Sequence, residues 1–240
     1  MKLKSDLLKT VSSYFELLED DVEIVLQKGN HLKKDDLSNF LNKIVSLSDK
    51  LSIVEAEIDS KFSPITFSIS KKNKGASIFF SGIPGGHEFN SFILAILHVG
   101  GHNLKLDKSV ISQIKSIDKQ LDFQVFVSLD CQICPEVVQA VNKMASLNSN
   151  INCETLDGGV FQDLVKEKGI QAVPTIFLNG KFLSSGKTNI PKIISSLKQK
   201  NLIDSDIKVL NKSINDCIVI GGGPAGISSA VYLARKGLEV

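Results

Sequence analysis

Neither sign of charge is in excess in this chain, cysteine is scarce, and no apolar run is long. Over 240 residues, 28 basic side chains face 26 acidic ones, which leaves a net charge of +2. With the lysines spread along the chain, so close a balance offers no electrostatic footprint for nucleic acid. The longest apolar stretch, Phe92 to Val99, contains His98 and is far too short to span a bilayer. The N-terminus, MKLKSDLLKTVSSYFELLEDD, has neither the uninterrupted apolar core nor the small-residue cleavage site of a secretory signal. A cytoplasmic location with no membrane partner is therefore expected. The four cysteines are Cys131, Cys134, Cys153 and Cys217. In a reducing compartment a scattered cysteine is a small buried hydrophobe, and Cys153 and Cys217 are read that way.

The periodicity of the first half predicts a helix over Lys4 to Lys28, through Leu8, Val11, Phe15, Leu18, Val22 and Val25. A second helix is expected over Asp35 to Ser48. Strands follow at Leu51–Ile58, Ile65–Ile69 and Ser77–Phe80, separated by polar turns. Gly-Ile-Pro-Gly-Gly at Gly82–Gly86 breaks the chain before a helix from Glu88 to Val99, and a helix Lys108–Ile117 leads onward. The second half reads strand Phe123–Val127, an apolar-faced helix, strand Ile151–Leu156, a short helix Phe161–Lys168, and strand Thr175–Leu178. Asn179-Gly180 then predicts a tight hairpin into Lys181–Leu183, and a helix runs from Pro191 to Lys198. This βαβαββα order is the one a thioredoxin-like unit requires. The first half reads as a degenerate copy without cysteine. From Gln199 to Asn215 the chain turns polar and loses its period, as a linker does.

Cys131 and Cys134 stand between a strand and a helix in Phe-Val-Ser-Leu-Asp-Cys-Gln-Ile-Cys-Pro. A sulfur at a helix N-terminus lies beside unpaired amides, which favour its anion and lower its pKa below roughly 8.5. One turn on, Cys134 can close a disulfide with it. The expected roles are Cys131 as the exposed attacking thiolate and Cys134 as the buried resolving thiol, with a reducing poise. Asp130 beside the attacking sulfur partly opposes the helix. Zinc needs four ligands; no second CxxC exists, and all four histidines precede the pair without ligand spacing, so no metal is expected. Ala172-Val173-Pro174-Thr175 precedes a strand where such folds place a cis-proline facing the dithiol, which makes Pro174 a site residue.

The last residues carry a strand, Gly221-x-Gly223-x-x-Gly226 and the start of a helix. The first glycine makes the tight turn, the second admits a pyrophosphate and the third lets helix and strand pack closely, a dinucleotide fingerprint. The acidic residue that grips the ribose is expected at or beyond Val240, and Glu239 comes too early for that role. The chain reads as a piece of a longer flavoprotein that by itself binds no dinucleotide tightly.

Together with Gly86-His87-Glu88-Phe89, Val99-Gly100-Gly101-His102, Leu156-Asp157-Gly158-Gly159 and Pro224-Ala225-Gly226, these motifs make the chain resemble the N-terminal part of the flavoprotein component of bacterial alkyl hydroperoxide reductases. The resemblance implies an α/β chain of two tandem thioredoxin-like units, 1–119 without CxxC and 120–199 redox-active. A linker at 200–215 and the first βα unit of a truncated Rossmann-type FAD domain at 216–240 complete it. It further implies FAD and NADH as cofactors of the full-length protein, which is expected to be a homodimer. Electrons then pass from the flavoprotein core to this dithiol and on to a peroxiredoxin partner. Glu88 is implied to sit near the dithiol and modulate its protons, whereas from sequence alone it caps the helix that follows Gly86. Members of this family often carry His and Asn between the cysteines, where this chain has Gln132 and Ile133. Two other readings are a stand-alone two-unit protein disulfide oxidoreductase, against which the glycine fingerprint argues, and a non-catalytic docking module.

Overall fold

The computed structural model describes residues 5–203, 216–238 and 240, so the expected linker from 204 onward, and Glu239, lie outside the described residues. The chain divides into two compact units, Met1–Ser205 and Asp206–Val240.

The first unit opens with helix α1 (Ser5–Phe15), which buries Val11 and Phe15. The helix ends there, and the expected single helix to Lys28 does not form; Val22–Gln27 is strand β1. Two causes combine. Glu19, Asp20 and Asp21 would place carboxylates on the negative end of the helix macrodipole. Val22, Ile24 and Leu26 also alternate with the less buried Glu23 and Val25, a period of two hidden under apolar intervals of three and four.

Helix α2 (Lys34–Val45), strands β2 (Leu51–Ala56), β3 (Thr66–Lys71) and β4 (Ile78–Ser81) and helix α3 (Glu88–Val99) complete the first half. The second half comprises α4 (Lys108–Lys115), β5 (Leu121–Val127), α5 (Cys134–Leu147), β6 (Ile151–Asp157), α6 (Gln162–Glu167), β7 (Thr175–Leu178), β8 (Lys181–Ser185) and α7 (Ile190–Gln199). With β1 in place the halves read alike, α6 being the addition in the second. Each half pairs its first two strands parallel, then its first with its third and its third with its fourth antiparallel.

Both sets fuse into one eight-stranded sheet in the order β2-β1-β3-β4-β6-β5-β7-β8. At the junction β4 runs parallel to β6, with Ile78 opposite Cys153 and Ser81 opposite Leu156. Two edges that would otherwise present unpaired amides and carbonyls are closed by this pairing.

Register sets Phe67, Phe80, Thr155 and Val125 in one row, and Ile69, Ile78, Cys153 and Phe123 in the next, on the same face. Helices α3 and α5 pack there. Phe92 of α3 is fully buried, and its ring meets Phe67 and Phe80 edge-on at 5.6 and 5.9 Å. The opposite face is polar across the junction, because alternate side chains point the other way. Thr66 Oγ1 and Ser81 Oγ lie 2.7 Å apart, Ser81 donates to Glu154 at 2.6 Å, and Gln124 donates to the other Glu154 oxygen at 3.0 Å. These bonds stitch β3, β4, β6 and β5 together. Further along, Leu164 and Val165 of α6 cover Phe126, Leu156 and Phe177. Strands β4, β5 and β6 are mutually parallel, so their C-terminal ends meet at one end of the sheet, where β7 begins.

In the second unit a glycine turn leads into helix α8 (Pro224–Arg235). The strand expected just before that turn forms no ladder with any described residue, and Ile218 and Ile220 stand 75% and 95% exposed. A strand needs a neighbour for its amides and carbonyls, and one βα unit contains none.

Truncating Phe92 to alanine should lower the unfolding free energy by about 3–5 kcal/mol in a urea titration, the range for a large buried aromatic. Because the sheet is continuous, amides of β1 and β7 should lose hydrogen-exchange protection together; loss confined to one half would contradict the fused core.

Candidate functional site

Strand β5 delivers the chain to the crowded end of the sheet at Val127, and residues 128–133 turn it into α5. The turn closes with Cys131 N–H donating to the Ser128 carbonyl at 3.0 Å. Cys131 and Cys134 form a disulfide with their Cα atoms 5.5 Å apart, an ordinary separation for such a bond. Cys131 lies just ahead of the helix rather than in it. The N–H of Cys134, the first residue of α5, points back and donates to the Cys131 sulfur at 3.2 Å. The helix start therefore acts on this sulfur through a directed amide as well as through its dipole. Pro135 sits in the first turn of α5, where a missing N–H leaves nothing unsatisfied.

The two sulfurs differ in access. Cys134 is fully buried, Cys131 half-buried, and Gln132 and Ile133 between them are exposed. On the far side of Cys131 the chain enters β7 through a cis Val173–Pro174 bond, and the Val173 carbonyl oxygen lies 3.8 Å from the Cys131 sulfur. Asp130 is exposed, where solvent screens its charge. The other cysteines take no part: Cys153 is free and buried on the core face, its thiol pushed up by desolvation, and Cys217 is free in the second unit. Among the described residues no group of three or more His, Cys, Asp or Glu could hold a metal ion.

Glu88, the first residue of α3, is 1% exposed, and among the described residues neither carboxylate oxygen has a hydrogen-bond partner. It therefore does not cap the helix it begins. It shares a small cavity with Ser81, Val127, Leu129, Thr155 and Asp157, which places it under the dithiol turn. Burial pushes its carboxyl up to about 7, opposed only by the nearby Ser91 hydroxyl.

Sequence reasoning missed three features. Asp157, on the rim of that cavity, has its carboxyl raised by burial while it accepts the Gly159 N–H at 2.9 Å. Gly86 and His87 touch the backbone of Leu129. In the cysteine-free half, Lys34 fills the matching β1–α2 corner. Its ammonium donates to the Gln27 carbonyl and, at 2.9 Å, to the Pro64 carbonyl, and lies 3.3 Å from Glu55. A buried lysine ringed by oxygens has no sequence signature, whereas Leu-Asp-Gly-Gly at 156–159 was visible as a motif without an assigned task.

In the second unit, Gly221 takes a φ of +117°, and a Cβ on Gly226 would fall 2.0 Å from the Gly221 carbonyl oxygen. Helix and turn can approach this closely only with glycine at 226. A Cβ at Gly221, Gly222 or Gly223 would meet nothing within 4 Å, so the backbone ahead of α8 is open to a phosphate. These residues fit the pyrophosphate of a dinucleotide.

A family model described as a thioredoxin domain matches residues 121–198. The alkyl hydroperoxide reductase AhpF of Pseudomonas aeruginosa is 39% identical over 237 residues, covering 99% of this chain and 45% of that protein. A Ferdinandcohnia aciditolerans protein called NADH dehydrogenase is 37% identical over 239 residues, covering 100% of this chain and 45% of its own. The chain thus spans less than half the length of these relatives. A crystal structure of the N-terminal domain of alkyl hydroperoxide reductase AhpF from Enterococcus faecalis superposes with a TM-score of 0.75 at 29% identity, covering 82% of this chain and 100% of that one.

Glu88 also sets a pH dependence. Its folded value of about 7 lies above the ordinary 4.5, so the protonated carboxyl stabilises the fold fully below 4.5, and that contribution is lost as pH rises to about 7. Glu88→Gln should remove this slope and be more stable than the parent at pH 8 by up to about 3 kcal/mol. Equal denaturation midpoints at pH 8 would contradict the buried, partnerless carboxyl.

Proposed function

The chain is homologous to the N-terminal part of the alkyl hydroperoxide reductase AhpF, and on that basis we propose that it is the dithiol relay of an NADH- and FAD-dependent peroxiredoxin reductase. The observation that carries the reading is the Cys131–Cys134 pair itself: one sulfur accessible and held by a helix amide, the other buried behind it. The reduced pair passes two electrons outward. The Cys131 thiolate attacks a sulfur of the peroxiredoxin disulfide, that S–S bond breaks, and the departing thiolate takes up a proton. Cys134 then loses its proton and attacks the Cys131 sulfur. The mixed disulfide breaks, the second peroxiredoxin thiolate leaves, and the Cys131–Cys134 bond is restored.

Each neighbour has a task in this exchange. The Cys134 N–H stabilises the attacking anion. The Val173 carbonyl, presented by the bond to Pro174, offers an acceptor to the backbone of a docked partner segment. Glu88, with a carboxyl titrating near neutrality, takes and returns the proton of the thiol pair. In the full-length protein, FAD would lie with its pyrophosphate over Gly221 and Gly223, with Gly226 admitting the close turn, and supplies two-electron transfer from NADH toward a disulfide. On this reading the flavoprotein core reloads the Cys131–Cys134 pair, and the full-length protein is a cytoplasmic homodimer. Among the described residues no helix is long and apolar enough to cross a membrane. A stand-alone disulfide oxidoreductase has no use for the glycine turn ahead of α8.

Cys131→Ser should abolish reduction of a peroxiredoxin disulfide by the pre-reduced chain. Cys134→Ser should trap a mixed disulfide visible on a non-reducing gel and by mass spectrometry. Turnover by the Cys131→Ser protein would reverse the order of attack.

A further inference from the structure

A loop of the cysteine-free half is built against the turn that carries Cys131. Gly86 takes a φ of +54°, and a Cβ there would come within 2.3 Å of the Leu129 carbonyl oxygen, 3.0 Å of its carbonyl carbon and 3.2 Å of its Cβ. No flexible side-chain end could move aside, because the nearest atoms are backbone. The amide of the next residue, His87, donates to the same Leu129 carbonyl at 2.9 Å. Leu129 is two residues before Cys131, and the Cys131 amide is bound to the Ser128 carbonyl at 3.0 Å. The dithiol turn is thus held from the first half through a backbone contact that only glycine at 86 permits.

We propose that Gly86 is a positioning residue for the dithiol: lacking a side chain, it lets the 82–87 loop hold the Leu129 carbonyl and so fixes the Cys131 sulfur against the Cys134 amide. The proposal rests on reading Cys131 as the attacking sulfur. It gives the half without cysteines a part in the chemistry of the half that has them. Displacing Leu129 would draw Cys131 away from the amide that stabilises its thiolate, so the reduced form would lose stability relative to the disulfide and exchange would slow.

The test compares three variants of the full chain. Gly86→Ala adds the Cβ. Gly86→Asn adds it on a residue that tolerates the left-handed region, so backbone strain is reduced while the clash remains. Gly29→Ala is the control: Gly29 has a φ of +122°, and an added Cβ would meet Pro64 Cγ at 2.8 Å rather than Leu129. Three quantities are measured: stability in urea, the equilibrium constant for reduction by dithiothreitol, and the rate of exchange of the reduced chain with an aromatic disulfide, 5,5′-dithiobis(2-nitrobenzoate). Both Gly86 variants should exchange about tenfold or more slowly, as expected for a misplaced reacting group. Their reduction constants should fall about threefold or more. Gly29→Ala should lose stability and keep both redox values. Folded Gly86 variants with the parent's rate and equilibrium would overturn the proposal, as would a Gly29→Ala protein that shifts both equally. If the alanine variant does not fold, the asparagine variant decides. Alkylation of Cys131 in the parent reports on the attacking sulfur separately: reaction no faster than that of a free thiol removes the functional reading, while the dithiothreitol equilibrium still reads the Gly86 contact.

Discussion

Parallel pairing of β4 with β6 holds the two halves of the first unit in one sheet, and the site depends on it. Parallel strands end on the same side, so β4 releases its chain beside the ends of β5 and β6. The 82–87 loop and the start of α3 then arrive next to the turn that carries the cysteines. Had the halves met antiparallel, Glu88 and Gly86 would face the far end of the sheet. The core follows the same register: Phe67, Phe80, Thr155 and Val125 form one row across the junction, and α3 and α5 lie on it together.

The electrostatics of the site come from three different sources. A directed amide supports the Cys131 sulfur, burial alone holds Glu88 protonated up to neutrality, and a ring of oxygens neutralises Lys34 in the other half. The contrast between Glu88 and Lys34 is instructive. A buried charge that meets a carboxylate and carbonyls is a structural device, whereas a buried carboxyl whose oxygens meet no donor is a group free to change its protonation state. The halves share a fold, and chemistry remains in one of them because the equivalent corner of the other is filled by an ammonium.

What could be read from the sequence was mostly local. A strand, CxxC and a helix follow one another within a short stretch, the double glycine stops the chain before α3, and the bounds Glu88–Val99 and Thr175–Leu178 agree with expectation. Strand β1 was misread because Leu18, Val22 and Val25 satisfy a helical interval while Val22, Ile24 and Leu26 satisfy a strand, and neither pattern reveals where the acidic run ends the helix. The fused sheet was illegible for another reason. Pairing Ile78 with Cys153 joins residues far apart in the chain, and no local rule announces it. For the same reason Gly86 could be placed in a motif but not against Leu129. The ribose-gripping acid could not be sought in the structure either, since Glu239 lies outside the described residues.

The burial of Cys134 has a kinetic meaning. A small thiol diffusing past the protein can collide with only one of the two sulfurs, because the other is fully buried behind it. Any adduct formed at the outer sulfur is expelled by its neighbour faster than a second outside molecule can reach it. The couple is therefore insulated from the bulk thiol pool, and it stays out of equilibrium with glutathione while remaining open to a protein that can seat itself long enough at the one accessible atom.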